Sequence, residues 1–481
     1  MQRPSARRLI HFNPLLRPSS RLGVHSSPNN RHITSSTTGA VNVRSLHQPT
    51  TPTQVSNFSS GKYNVGQRLR LRCNGVVGYK FTTTTATEKG SFAKMSDLLM
   101  SRRPYTTAKG LFKVEKHIIP AFPIREHPRG TWTDDDRLQL MVNQYKPVNN
   151  PEPKPGDLTL IVAHANGFHK ELYEPFFEYL VEDYEKRGAK LRSIWIADIH
   201  NQGESGILNE KKLGGEVSWF DHSRDILSLV MHFPHDIVRP IAALGHSMGG
   251  TQLFRASIMH PTLFTCVVGV DPTISPWQAF PASANPAAMS AKRRDIWPSL
   301  EDATKFFKSR PFYQAWDSRC LELHMKYGLR KVPTAVYPDP SKVEGGANAV
   351  TLTTTKHQEV FTFWRTSEQD RKDPKDMFAL LNQLKVPVCY IQGETSVINW
   401  GNNNELKMQN TPQPCEMHII KDCGHLVPQE KPKEAAELAS EYLYRQVKIW
   451  GKQTEEFKDN WPPTMTISPQ YFETRAREAK I

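Results

Sequence analysis

The segment of this sequence best suited to covalent chemistry is Gly245-His246-Ser247-Met248-Gly249-Gly250. A serine between glycines at this spacing can sit on a strained strand-to-helix turn, its Oγ projecting clear of the backbone. The apolar run 241–244 precedes it and a helical pattern, 252–259, follows, so the context that the motif needs is present. In that setting Ser247 is the candidate nucleophile. The Met248 N–H, at the positive end of the following helix, is a candidate donor to a developing oxyanion.

A serine hydroxyl needs a base, and the base needs an acid to fix its tautomer. His425, in Cys423-Gly424-His425-Leu426, follows the last strand-like run and is the candidate base. The acid has two candidate positions. After the penultimate run the sequence reads Gly393-Glu394-Thr395-Ser396, with serine where an aspartate would ordinarily stand. After the strand that follows the elbow helix it reads Gly269-Val270-Asp271-Pro272. Asp271 is therefore the expected acid and Glu394 the other candidate. The second oxyanion donor is expected in His164-Ala165-Asn166-Gly167-Phe168, at the Asn166 N–H, with Phe168 as the alternative. His164 reads as a structural histidine at a strand end, and Asp198 to Ser205, with Gln202 at a glycine-like position, reads as turn architecture. Acyl transfer by such a set requires no metal and no cofactor.

The elements that must hold these residues alternate. Runs 114–119 and 137–142 read as antiparallel edge strands, and 158–163, 193–197, 241–244, 266–270, 386–392 and 416–420 as core strands. Helical spacing falls between them at 171–187, 225–231 and 252–259, and again from 432 to about 450. Repeated β-α alternation predicts an α/β fold with a mostly parallel central sheet covered on both faces. Between 273 and 384 no strand pattern appears, and the chain is aromatic: Trp277, Phe280, Trp297, Phe306, Phe307, Phe312, Tyr313, Trp316. This stretch reads as a helical cap over an apolar acyl or polyketide-like substrate. The expected organisation is an extension (1–110), a first core part (111–272), the cap (273–384), a second core part (385–450) and a tail (451–481).

Charge is distributed unevenly. The sequence carries a formal net charge of +14, yet no acidic residue precedes Glu88, and twelve Lys and Arg lie between Arg3 and Lys80. The folded part is thus near neutral, which argues against nucleic acid as a partner. The six cysteines form no CxxC pair and signal neither a zinc site nor a redox motif. No apolar run approaches the ~18 residues needed for a transmembrane segment. The acid-free, Arg- and Ser-rich start has the composition of a mitochondrial transit peptide, of a disordered extension, or of a misassigned start before Met95.

With these residues named, the chain resembles the fungal α/β-hydrolases grouped as peroxisomal lipases, acyl-CoA thioesterases and toxin-biosynthesis hydrolases. The resemblance covers about 112 to 445. It rests on the elbow and on longer strings: His164 to Phe168 leading to Lys170-Glu171-Leu172-Tyr173-Glu174-Pro175, Ser193 to Asp198, Trp219 to Asp225, and Lys356-His357-Gln358-Glu359-Val360-Phe361. It implies the α/β-hydrolase fold, a triad of Ser247, Asp271 and His425, and hydrolysis of a lipid, ester or acyl thioester. Other readings are a non-catalytic binding protein on this fold, or epoxide hydrolase-like chemistry, which uses a carboxylate where Ser247 stands. The C-terminal Ala479-Lys480-Ile481 has the small-basic-aliphatic form of a peroxisomal address, so an import receptor is an expected partner. Peroxisome is the expected location, and mitochondrion the alternative.

Overall fold

The computed structural model of the chain describes residues 103–277, 285–365 and 372–460, with Pro469 and Glu473 beyond them. Phe280, the tripeptide Ala479 to Ile481 and the expected extension, apart from 103–110, lie outside the described residues.

Twelve strands are described. They are β1 (Tyr105–Thr106), β2 (Phe112–Pro120), β3 (Gln139–Pro147), β4 (Leu158–Ala163), β5 (Leu191–Ala197), β6 (Ile241–His246) and β7 (Cys266–Val270), then β8 (Ile296–Trp297), β9 (Leu329–Lys331), β10 (Val350–Leu352), β11 (Val388–Gly393) and β12 (Cys415–Ile420). Nine of them form one sheet in the order β1-β2-β3-β5-β4-β6-β7-β11-β12. The first three run antiparallel, and every pair from β5 to β12 is parallel. The chain leaves β4 for β5 on one side and returns to β6 on the other. That reversal opens a crevice at the carboxyl ends of the strands.

Both faces of the sheet are covered, which is why the central strands are apolar throughout. Leu158, Leu160 and Val162 of β4 pack with helix Glu174–Lys186 and the long helix Pro432–Asn460. Ile161 and Ala163 pack on the other face with helices Trp219–His232 and Met248–Met259. The alternation of adjacent residues between two cores is the period-2 signature of a strand. Among the described residues no helix is long and apolar enough to cross a membrane.

Three differences from the expected elements have identifiable causes. Strand β3 continues to Pro147 through Asn143 and Gln144, polar residues that broke the apparent pattern at 142. Both are buried because they have partners: Asn143 donates to Glu171 at 3.1 Å, and Gln144 pairs with His117 at 3.0 Å. The stretch expected to be free of strands holds β8, β10 and β9 as a small antiparallel sheet. Strands of two or three residues are too short to show a period. The last helix runs to Asn460 rather than 450, since no proline interrupts it before Pro462. Within the cap stretch, Met377, Leu381 and Leu384 return to the core beside Leu253 and Phe254.

Candidate active site

The elbow stands at the crevice. Ser247 has φ 55° and ψ −120°, a conformation that L residues rarely adopt, and helix Met248–Met259 starts immediately after it. Two backbone bonds hold the turn against β7: Ser247 N–H donates to the Val270 carbonyl at 3.0 Å, and Thr273 N–H to the Ser247 carbonyl at 3.0 Å. The glycines answer to space. A Cβ at Gly249 would collide with the Ala163 carbonyl oxygen, and one at Gly250 with the Pro272 ring, at 2.5 Å.

Ser247, His425 and Asp271 form a continuous hydrogen-bond chain. Ser247 Oγ lies 2.8 Å from His425 Nε2, and His425 Nδ1 lies 2.6 Å from Asp271 Oδ2. Asp271, like the serine, holds a positive φ (42°), which turns its carboxylate from the end of β7 toward the histidine loop. The carboxylate is fully buried and surrounded by donors. The Ser396 hydroxyl donates to Oδ2, and Asn399 Nδ2 donates to Oδ1 at 2.5 Å. The Gln392 amide, assigned with its nitrogen toward Asp271, adds a further donor. Glu394 is elsewhere: its carboxylate is exposed and accepts the Asp422 N–H at 3.1 Å. Thr273 Oγ1 is a second neighbour of Ser247 Oγ, at 3.0 Å.

The turn after β4 leaves one donor over. Ala165 N–H donates to Tyr173 Oη at 2.9 Å, Gly167 N–H to Gln202 Oε1 at 2.8 Å, and Phe168 N–H to the Ala165 carbonyl at 3.2 Å. Among the described residues the Asn166 N–H has no protein partner, nor has the Met248 N–H. Phe168 is thereby occupied, which leaves the expected pair, Asn166 and Met248, as the open donors. Gln202 holds this turn with both ends of its amide, since its nitrogen also donates to Asn166 Oδ1 at 2.6 Å.

His164 serves the backbone: Ile199 N–H donates to its Nε2 at 3.0 Å, and its Nδ1 faces the Ala165 carbonyl at 2.8 Å. Burial holds its pKa down, at about 3, so the ring is neutral.

Several residues at the site were not signalled by any motif. His246, the variable residue of the elbow, bridges three segments. Its Nδ1 accepts from Tyr173 Oη at 2.9 Å, and its Nε2–H donates to the His425 carbonyl at 2.9 Å. Burial lowers its pKa to about 3, so it braces as a neutral ring. Lys407 is fully buried behind the acid. Its Nζ donates to Asn399 Oδ1 at 2.9 Å and to Gln392 Oε1 at 3.2 Å, so two amides connect it to Asp271. Burial depresses this ammonium to about 8, with the Asp271 charge opposing. A lone lysine in an amphipathic helix reads as solvent-facing, which is why it escaped notice.

The cap touches the oxyanion turn through helix Lys356–Phe363. Asn166 Nδ2 donates to the Glu359 carbonyl at 3.2 Å, and the Glu359 carboxylate lies against Gly167, where a Cβ would be 2.9 Å from it. Much of the cap's aromatic content packs on itself: Trp297, Phe307 and Trp316 are buried. A separate group, Cys389, Glu416 and His418, brings three metal-capable side chains together on β11 and β12. Arg445 bonds Glu416 there at 2.6 Å, adding a positive charge that disfavours a cation.

The sequence model of the alpha/beta hydrolase family matches residues 160–438, and the chain belongs to that family. It is 37% identical over 262 residues to the type I acyl-CoA thioesterase mpaH of Penicillium roqueforti, an alignment covering 52% of this chain and 59% of that one. It is 27% identical over 248 residues to the abhydrolase domain-containing protein ACTT2-2 of Alternaria alternata, covering 46% of this chain and 91% of that one. The chain thus spans about six tenths of the length of the thioesterase relatives it matches. Among solved structures it is similar to the peroxisomal alpha-beta-hydrolase Lpx1 of Saccharomyces cerevisiae. The TM-score is 0.59 at 19% identity, covering 77% of this chain and 96% of that one, a likeness of fold.

Proposed function

We propose that the protein is a serine hydrolase that cleaves an ester or acyl thioester of an apolar acyl group through an acyl-enzyme. The observation that carries this reading is the Ser247–His425–Asp271 chain at the crevice, together with the Asn166 and Met248 N–H groups, which have no protein partner among the described residues. His425 Nε2 takes the Ser247 proton as Oγ attacks the carbonyl carbon. The oxyanion forms against the Asn166 and Met248 N–H groups. Collapse breaks the bond to the leaving alcohol or thiol, which receives the proton from His425. Water, deprotonated by His425, then attacks the acyl-enzyme, releases the carboxylic acid and returns the proton to Ser247. Throughout, Asp271 keeps Nδ1 protonated and offsets the charge on the imidazolium.

Thioester cleavage is favoured by the thioesterase relatives at 37% identity. An apolar acyl chain is favoured by Val397 and Trp400, which stay exposed on the loop carrying Asn399, with the Trp277 ring 5.1 Å from Trp400. The test is a fluorophosphonate probe together with a panel of acyl-CoA and p-nitrophenyl esters over chain lengths. Labelling and turnover should be present in the wild type and absent in Ser247→Ala. A folded wild type that neither labels nor turns over any member would refute the reading. Peroxisomal import through Ala479-Lys480-Ile481 is part of the same proposal. Deleting the tripeptide should release the protein to the cytosol, and unchanged peroxisomal distribution would reject that part.

A further inference from the structure

Ser247 Oγ has two side-chain neighbours, and its single proton decides the role of each. That proton points to His425 Nε2, 2.8 Å away, the arrangement in which the histidine acts as base. The other imidazole proton, on Nδ1, faces Asp271. The Thr273 hydroxyl, 3.0 Å from the same Oγ, is then left with one role, that of donor. A hydroxyl oxygen has two lone pairs. Thr273 engages one of them, and the other is free to attack a carbonyl carbon.

Thr273 is held at this place by its backbone. Its N–H donates to the Ser247 carbonyl at 3.0 Å, and its carbonyl accepts from Thr251 Oγ1 at 2.7 Å, so both ends of the residue are tied to the elbow and its helix. On either side, Asp271 N–H donates to the Ile391 carbonyl at 2.8 Å, and the Ile274 carbonyl accepts from Asn403 Nδ2 at 3.1 Å. The side chain is buried, and among the described residues its hydroxyl bonds nothing but Ser247 Oγ. The turn that carries the acid thus carries a donor two residues further on. From one strand end, Asp271 reaches the base and Thr273 reaches the nucleophile.

The reaction makes that donor matter. As Ser247 passes its proton to His425, negative charge builds on Oγ before the bond to carbon is complete. A bond between two neutral hydroxyls then becomes a charge-assisted one, which is stronger, so the donor favours the transition state over the ground state. Oγ carries charge again when it leaves carbon at the end of deacylation. Thr273 gives up no proton at either step; the proton that moves is shared between Oγ and His425 Nε2.

We propose that Thr273 is a further catalytic residue, a fixed donor to Ser247 Oγ that stabilises the oxygen as it attacks and, in deacylation, as it departs. The proposal rests on the hydrolase reading and adds a group to it.

The test compares four side chains at position 273 in the full chain: wild type, Thr273→Ser, Thr273→Val and Thr273→Ala. The first two carry a hydroxyl, whereas wild type and Thr273→Val share the branched shape. The readout is the second-order rate of labelling by a fluorophosphonate probe, which reports attack by Oγ alone and requires no knowledge of the substrate. Thr273→Val and Thr273→Ala should label roughly 10- to 100-fold more slowly than wild type, as for the loss of one hydrogen bond to a charged group. Thr273→Ser should slow by no more than about threefold. The pH at which labelling reaches half its plateau should be common to all four, because the Thr273 hydroxyl bonds Ser247 and not His425. Labelling of Thr273→Val within about threefold of wild type, or a Thr273→Ser rate as low as that of Thr273→Val, would overturn the proposal, since a packing role ranks the four by shape. A half-plateau pH that shifts in Thr273→Val would assign the effect to the imidazole and overturn it equally. Should Thr273→Val fail to fold, Thr273→Ala and Thr273→Ser decide by the same criteria. If folded wild type is not labelled, the hydrolase reading fails and this proposal with it; a labelled wild type matched by Thr273→Val rejects the role of Thr273 alone.

Discussion

Replacing Asp271 by asparagine tests the acid most sharply, because the surroundings dictate how the new amide must lie. On the Oδ1 side stand the Asn399 and Gln392 amide nitrogens, both donors. Neither can turn round, because the oxygen of each is held by the Lys407 ammonium. The new NH2 is therefore excluded from that side and must face His425 and Ser396. The Ser396 hydroxyl can rotate to accept, but His425 Nδ1 can accept only by giving up its proton to Nε2. An Nε2–H pointing at Ser247 Oγ is no base. Loss of the correct tautomer in a triad lowers kcat by ~10⁴, which at about 1.36 kcal/mol per tenfold is about 5.5 kcal/mol of transition-state stabilisation. The assay is kcat and KM on a p-nitrophenyl ester, with labelling by a fluorophosphonate probe as a second readout. KM should change little, since the carboxylate is fully buried. Glu394→Gln, whose carboxylate only caps the Asp422 N–H, should stay within about twofold of wild type. A rate for Asp271→Asn within tenfold of wild type, with a large loss in Glu394→Gln, would refute the reasoning.

Two further outcomes follow from side chains around the triad. Gln202→Leu should leave Gly167 N–H and Asn166 Oδ1 without a partner and let the oxyanion turn relax; kcat should fall roughly 10- to 100-fold with KM nearly constant. A change confined to KM would contradict this. Lys407 should make stability pH-dependent with a defined sign. Below about 8 it is protonated in both states, and the fold carries the full cost of burying it. Between there and its unfolded value near 10.4 the unfolded chain binds the extra proton, so stability rises with pH. Relative to Lys407→Met, wild type should gain about 2 kcal/mol between pH 7 and pH 9.5. Thermal unfolding of both proteins at the two pH values checks it, and a constant difference in Tm would refute it.

The sequence was most legible where one residue type answers to one constraint. The elbow glycines and the doubly buried strand at 158–163 were readable because close approach and burial each demand specific residues. The network behind Asp271 was not readable, for a physical reason. Asn399 and Lys407 acquire their roles only when β11 is laid beside β7 and the helix Asn403–Asn410 packs behind them, contacts with no local period. The same holds for His246 and Tyr173, whose pairing links 73 positions of chain. The cap aromatics were read as substrate contacts, but Trp297 and Phe307 fill the cap's own core and Trp316 joins the core beneath the sheet, since burial in a core and burial against a ligand select the same residues.

Ser396 offers a last test, because it occupies the place where the acid would ordinarily stand. Strands β7 and β11 are parallel neighbours with Val270 opposite Ile391, so their carboxyl ends approach the same imidazole. Asp271 comes from one end, and Ser396, from the other, donates to the same carboxylate oxygen that His425 contacts. The two positions are therefore alternative sources of one charge, and whichever lacks the carboxylate must supply a donor to it. In the Asp271→Asn background, Ser396→Asp should restore the carboxylate from the neighbouring strand end, with the new amide at 271 donating to it. Contacting residues couple by up to about 3 kcal/mol, so recovery of roughly 100-fold over Asp271→Asn is expected. The single variant Ser396→Asp should instead lose activity, since two carboxylates would then compete for one site in a buried setting. If the double variant is no faster than Asp271→Asn, the two strand ends are not interchangeable and the geometry of β7 alone sets the acid.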